Sequence, residues 1–384
     1  MAQLRWKGFE QEANPFPRLA HDNFREERDM IATANEAKAP GRQTSPESIA
    51  TVKLYPAGNP KYREFSLWYF ASLMLIWNVL GHTQLGFEQQ WAAPVTALVT
   101  AIALQLLFEF LDARDKKREI RFLTSFRSFC LFVLPAAISG FAVGMLLYPN
   151  DNLWMFAFGS AVAIGSKLLF RLPGNNQHFL NPSNAGIAVT LLLFPDLVGA
   201  APPYHFVENV QGVWNWLLPA IILGTGIFVH SRATGRLPLI LAWLIAFAAQ
   251  ALVRSALFAA PPIVLLMPMT STAFTIFTLY MVPDPGTTPI NQRSQILFGA
   301  GVAIIYGTLQ ALHVSFGIFL ALVLVSLIRG VALTVSHWQK CKSLKNNEPM
   351  TPVAAVSPAR CSSSVRAAST SDLRCSEPAR EARV

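Results

Sequence analysis

Leu237-Pro238-Leu239-Ile240-Leu241-Ala242-Trp243-Leu244-Ile245-Ala246-Phe247-Ala248-Ala249-Gln250-Ala251-Leu252-Val253-Arg254-Ser255-Ala256-Leu257-Phe258 carries a single charge, Arg254, close to its end. As an α-helix rising ~1.5 Å per residue, a run of this length crosses a hydrocarbon core of ~30 Å. Unpaired backbone groups are too costly in lipid for a spanning segment to take another form, so the run predicts a transmembrane helix. Apolar runs of the same kind recur at 65–82, 91–111, 129–148, 154–170, 181–195, 214–229, 263–282, 296–312 and 314–335. Those at 181–195 and 263–282 are the least regular. Composition agrees: 52% of residues are hydrophobic and 14% charged, mean hydropathy is +0.37, and a soluble domain carries about 25% charged residues. The expected fold class is an all-α polytopic membrane protein of about ten helices, a number that allows two five-helix halves. Its solvent is the lipid bilayer.

The charges orient it. Arg114, Lys116, Lys117, Arg118 and Arg121 follow the second span, Arg171 the fourth, Arg232 and Arg236 the sixth, Arg293 the eighth, and Lys340, Lys342 and Lys345 the tenth. The alternate loops, 83–90, 149–153, 196–213 and 259–262, hold no Lys or Arg. That alternation predicts both termini in the cytoplasm. It also accounts for the net charge of +9, so nucleic acid is not implied as a partner. Lys167 and Arg254 lie near span ends and are expected to snorkel. The chain divides into a polar cytoplasmic N-terminal region (1–60), a ten-helix membrane domain (61–338) and a disordered cytoplasmic tail (339–384) rich in Ser, Ala and Arg. None of the four cysteines forms a C-x-x-C pair, so a zinc or iron–sulfur site within the chain is not supported.

Two polar, Pro-broken motifs interrupt the apolar pattern: His178-Phe179-Leu180-Asn181-Pro182-Ser183-Asn184-Ala185-Gly186 and Tyr280-Met281-Val282-Pro283-Asp284-Pro285-Gly286-Thr287-Thr288-Pro289. Asn181-Pro182 reads as a capped helix start. Asn184 and Gly186 on the next turn read equally as a ligand site, since Asn offers a donor and an acceptor to a flat heterocycle and Gly lets a ring approach the backbone. Asp284 between two prolines is either a turn or, with Thr287 and Thr288, the polar side of a pocket. Both motifs fall on the cytoplasmic side of the predicted topology, where they are placed to share one pocket.

The ten spans, the Asn-Pro-Ser-Asn-Ala-Gly segment and Met281-Val282-Pro283-Asp284-Pro285 resemble the RnfD/NqrB family of membrane electron-transport subunits, over roughly residues 60–335. The resemblance implies a bacterial inner-membrane location, other membrane subunits of an electron-transport complex as partners, possible coupling to ion movement, and flavin. It makes Asn181, Asn184, Gly186, Asp284, Thr287 and Thr288 candidate cofactor-binding residues for a non-covalent riboflavin or FMN. The family's covalent FMN is attached to a Thr in the outer loop after the fifth span, and here Ala200–Gly212 holds no Ser or Thr. Thr270-Ser271-Thr272-Ala273 resembles that motif superficially but lies within the eighth span. The long N-terminal region and the Val-Pro-Asp-Pro variant look more like the divergent branch called UnbU. No G-x-G-x-x-G nucleotide fold is present, so electrons are expected from a partner. Alternatives are a transporter of a small solute or of riboflavin, for which Pro-broken spans are equally suited, and a scaffold subunit without cofactor. Glu109 is the best single candidate for an intramembrane relay. Catalytic residues and metal ligands are not expected.

Overall fold

A computed structural model describes residues 60–174 and 177–347. The N-terminal region 1–59 and the tail from 348 onward therefore lie outside the described residues. The helices are α1 (Pro60–Leu80), α2 (Ala92–Asp115), α3 (Phe126–Leu146), α4 (Leu153–Leu169), α5 (Pro182–Leu193), α6 (Trp214–Val229), α7 (Leu237–Phe258), α8 (Pro262–Leu266), α9 (Thr272–Ile276), α10 (Gln292–Ala311) and α11 (Gly317–Asn347). Six of them, α2, α3, α6 with its terminal turn, α7, α10 and α11, are long and apolar enough to cross a membrane. The shorter α4 and α5 are apolar as well. Each of the ten expected spans falls on this series, and the protein is an all-α polytopic membrane protein.

The eighth span is not one helix. α8 runs through a 3₁₀ turn (Met267–Thr270) and meets α9 at a bend of 64°. Ser271 explains the break: it adopts an extended backbone, accepts from Phe274 N at 3.1 Å and donates to Pro268 O at 2.9 Å. It caps a new helix in the middle of the span. Two hydroxyls of the Thr-Ser-Thr sequence serve this break, Thr270 Oγ1 bonding Met267 O at 2.7 Å beside the Ser271 cap, and Thr272 is buried.

The packing of α1 to α5 is repeated by α6 to α11. α2 packs on α4 as α7 packs on α10, α4 on α5 as α10 on α11, and α1 on α3 as α6 on α9. α5 and α11 join the halves. The crossings rely on glycine: a Cβ on Gly186 of α5 would lie 2.3 Å from Gly159 O of α4, and one on Gly299 of α10 would lie 2.4 Å from Leu239 O of α7. Small residues of this kind let spans approach where lipid supplies no hydrophobic drive.

The loops sort onto two faces. On one, Arg127 pairs with Glu64 at 2.7 Å, Gln177 Nε2 donates to Gly286 O at 2.7 Å and Arg329 Nη1 to Thr287 O at 3.2 Å. On the other, Leu147–Tyr148 (β1) pairs antiparallel with Gly199–Ala200 (β2), Gln90 donates to Asp151 at 2.7 Å, and Asn209 N donates to Leu85 O at 3.3 Å. The basic loops of the sequence all belong to the first face.

Candidate functional site

Two prolines build the site. Residues 277–281 form a π turn, in which Val282 N donates to Phe277 O at 3.0 Å. Pro283 and Pro285 follow, and a proline has no N–H to continue a helical ladder, so Leu279 O and Met281 O take side-chain donors instead. His230 Nε2 meets Leu279 O at 2.6 Å, and Asn181 Nδ2 meets Met281 O at 2.9 Å. The second bond joins the two polar motifs across 100 residues of sequence. Asn181 also caps α5, its Oδ1 accepting from Asn184 N at 3.2 Å and Ser183 Oγ at 2.9 Å.

Asp284 is held by its own turn. Its Oδ1 accepts from Gly286 N at 3.1 Å, its Oδ2 from Thr287 Oγ1 at 2.9 Å, and its carbonyl from Thr288 Oγ1 at 2.6 Å. The turn is held from outside by Arg236, which is almost wholly buried. The Arg236 guanidinium donates to Thr288 O at 3.2 Å, Pro285 O at 3.3 Å and Pro289 O. In the sequence this arginine reads only as an orienting charge of a cytoplasmic loop. Its clamp on a segment some fifty residues away has no local signature.

Around these motifs lies a cavity of about 250 Å³, just under the ~300–1,000 Å³ of small-molecule sites. Both motifs line it, through His178 and Asn181 on one side and Tyr280 and Asp284 on the other. Apolar walls come from Phe70 of α1 and Ile138 of α3, and cations from Arg63 of α1 and Lys167 of α4. The Phe70 and Tyr280 rings meet edge-on, centroids 5.9 Å apart. Burial holds the His178 imidazole below its ordinary range, with the nearby Asp284 carboxylate pulling the other way.

The six candidate residues divide. Asn181 and Asp284 reach the cavity. Thr287 and Thr288 are buried beneath it and shape the Asp284 turn. Asn184 faces α11, donating to Phe319 O at 2.9 Å, with its Oδ1 buried and unpartnered. The space beside Gly186 is filled by the α4 backbone. Lys167, expected to snorkel, instead turns its ammonium inward, to Gln105 Oε1 at 3.1 Å and Pro135 O at 3.3 Å. Glu109 is buried in a pair with Arg118 at 2.6 Å, reinforced by Arg121 N at 3.1 Å. That bonding leaves it a structural anchor of the α2 end. Among the described residues no cluster of three or more His, Cys, Asp or Glu is arranged to hold a metal.

Fold and site together define a polytopic membrane protein with a charged cavity at its basic face. The NQR2, RnfD, RnfE family matches residues 65–331, more than half of the chain, and the chain belongs to that family. It is thus a membrane subunit of the electron-transport type, from a family that works in multisubunit membrane complexes. No curated protein matches it.

Proposed function

We propose that this subunit holds a non-covalent flavin, riboflavin or FMN, in the cavity between the Asn181 and Asp284 motifs, and relays electrons between partner subunits in a bacterial inner membrane. Coupling to ion movement belongs to the same proposal. The observation that carries it is the Asn181–Met281 bond at 2.9 Å, which makes two distant polar motifs the walls of one cavity. The residues present suit an isoalloxazine ring. Each Asp284 oxygen has one partner and keeps a lone pair for a ring N–H. Arg63 and Lys167 supply donors for ring carbonyls, and Phe70 and Ile138 supply apolar contact for the ring faces.

When bound, a flavin supplies one-electron redox chemistry that no side chain here provides. The chain's own residues orient the ring, exclude water from it and set the charge around it. Asn181 acts as a positioning residue, because its side-chain oxygen and nitrogen are both engaged within the protein. Attachment to a hydroxyl of the outer loop is not available, since Ala200–Gly212 contains none on Ser or Thr. The long N-terminal region and the Val-Pro-Asp-Pro variant support placement in the UnbU-like branch.

The test is flavin retention in purified variants. Asp284→Ala is expected to lose most of the flavin, since a ligand-binding carboxylate contributes about 1.5–3 kcal/mol, or roughly ten- to hundredfold in affinity. Asn181→Ala is expected to lose it too, together with thermal stability. Full retention in both variants would remove the site from this cavity. The 64° break within the eighth span favours a second reading, a solute transporter. Uptake of riboflavin into vesicles holding the protein, without any tightly bound chromophore, would put that reading first.

A further inference from the structure

We infer that the cavity takes its ligand as an anion, with Lys167 meeting the negative charge. The inference rests on the flavin reading for its probe and goes beyond it in naming the charge.

Lys167 lies close to the end of α4, yet its ammonium does not leave the bundle. Its two partners, Gln105 Oε1 on α2 and Pro135 O on α3, are neutral. An ammonium has three N–H donors, so one remains for the cavity that Lys167 lines. Among the described residues no carboxylate lies within ion-pair distance of it, nor of Arg63. Asp284 is the one carboxylate on the cavity wall, and it is already hydrogen-bonded through both oxygens. Of the two imidazoles on the wall, His178 is disfavoured as a cation by burial, and His230 has both ring nitrogens bonded within the protein, to Thr234 Oγ1 and Leu279 O. The cavity wall thus presents Lys167, whose ammonium turns inward, and the solvent-exposed Arg63 at its rim, against one anion whose oxygens are already bonded.

An ammonium turned inward without an ion-pair partner is costly to hold. In that setting it also attracts an anion more strongly than it does in water. Two forms of flavin supply such an anion. FMN carries it permanently as a phosphate. Riboflavin acquires it on reduction, when two electrons and one proton add to the ring, N5 gains hydrogen and N1 remains deprotonated.

The experiment compares wild type, Lys167→Met, Lys167→Gln and Lys167→Arg in detergent. The Gln variant keeps a hydrogen-bonding side chain should the Met variant fail to fold. Binding of oxidised FMN and riboflavin is measured by fluorescence quenching, the bound flavin is titrated with dithionite, and thermal unfolding is followed with and without inorganic phosphate. With a phosphate in the site, the Met and Gln variants lose FMN affinity by about tenfold or more, keep riboflavin affinity, and Arg restores the loss. With a ring anion, oxidised affinities stay level, while the Met and Gln variants lower the midpoint potential and replace the anionic reduced spectrum with the neutral one. Neutral variants matching wild type in both affinity and midpoint would overturn the inference while leaving flavin binding intact. If wild type takes up neither flavin, the flavin reading fails and phosphate decides. Stabilisation of wild type and Lys167→Arg alone retains the anion site, and equal stabilisation of all four proteins overturns it.

Discussion

His205 sits at the face opposite the cavity, 1% exposed, stacked on Phe87 with ring centroids 3.7 Å apart. Burial lowers its pKa to about 4, with His82 adding to the shift. A histidine held neutral in the folded state binds protons less readily than it does when unfolded. The stability it contributes is therefore complete above about pH 6.5, the unfolded value. It is lost as pH falls from there toward 4 and does not change further below. The expected loss is on the order of 3 kcal/mol, read as a falling melting temperature in detergent between those limits. His205→Phe is expected to flatten that part of the profile, and an unchanged slope in the variant would assign the pH dependence elsewhere. At this scale the sequence is legible only in part. Asn181 and Asp284 stand out because polar residues beside prolines have no role in a bare span. Lys167 does not, because a lysine near a span end has a default explanation in snorkelling, and only the positions of Gln105 and Pro135 show its ammonium turned inward.

Among the elements, α4 and α5 set the cavity floor, and their crossing depends on Gly186. A methyl there would stand 2.3 Å from Gly159 O and 2.9 Å from Ala163 Cβ. Neither neighbour is a flexible side-chain tip, so the helices must separate. Gly186→Ala is expected to cost about 1–3 kcal/mol and to displace Lys167 and Asn181 together, lowering both melting temperature and flavin retention. A variant that lost flavin with an unchanged melting temperature would return Gly186 to direct ligand contact. Most elements were legible in the sequence, because the bilayer fixes a length that a helix must meet. The break in the eighth span was less so. Pro268 is visible there, but the interruption comes from Ser271 capping a new helix, and a serine in a span reads equally as polar packing.

For the molecule as a whole, the loop charges and the tertiary contacts agree on two faces. The basic loops meet on the face that holds the cavity, tied by Arg127 to Glu64 and by Gln177 to Gly286. The cavity itself could not be read from any single stretch of sequence. It needs α1, α3, α4, the start of α5, residues 230–234 and residues 280–286 at once, and the bond that joins its two motifs spans 100 residues. The most direct measurement is the visible spectrum of the purified protein, taken before and after denaturation and filtration. A non-covalent flavin gives an oxidised-flavin band that passes entirely into the filtrate. A colourless protein made with riboflavin in excess, or a chromophore retained with the chain, would contradict it.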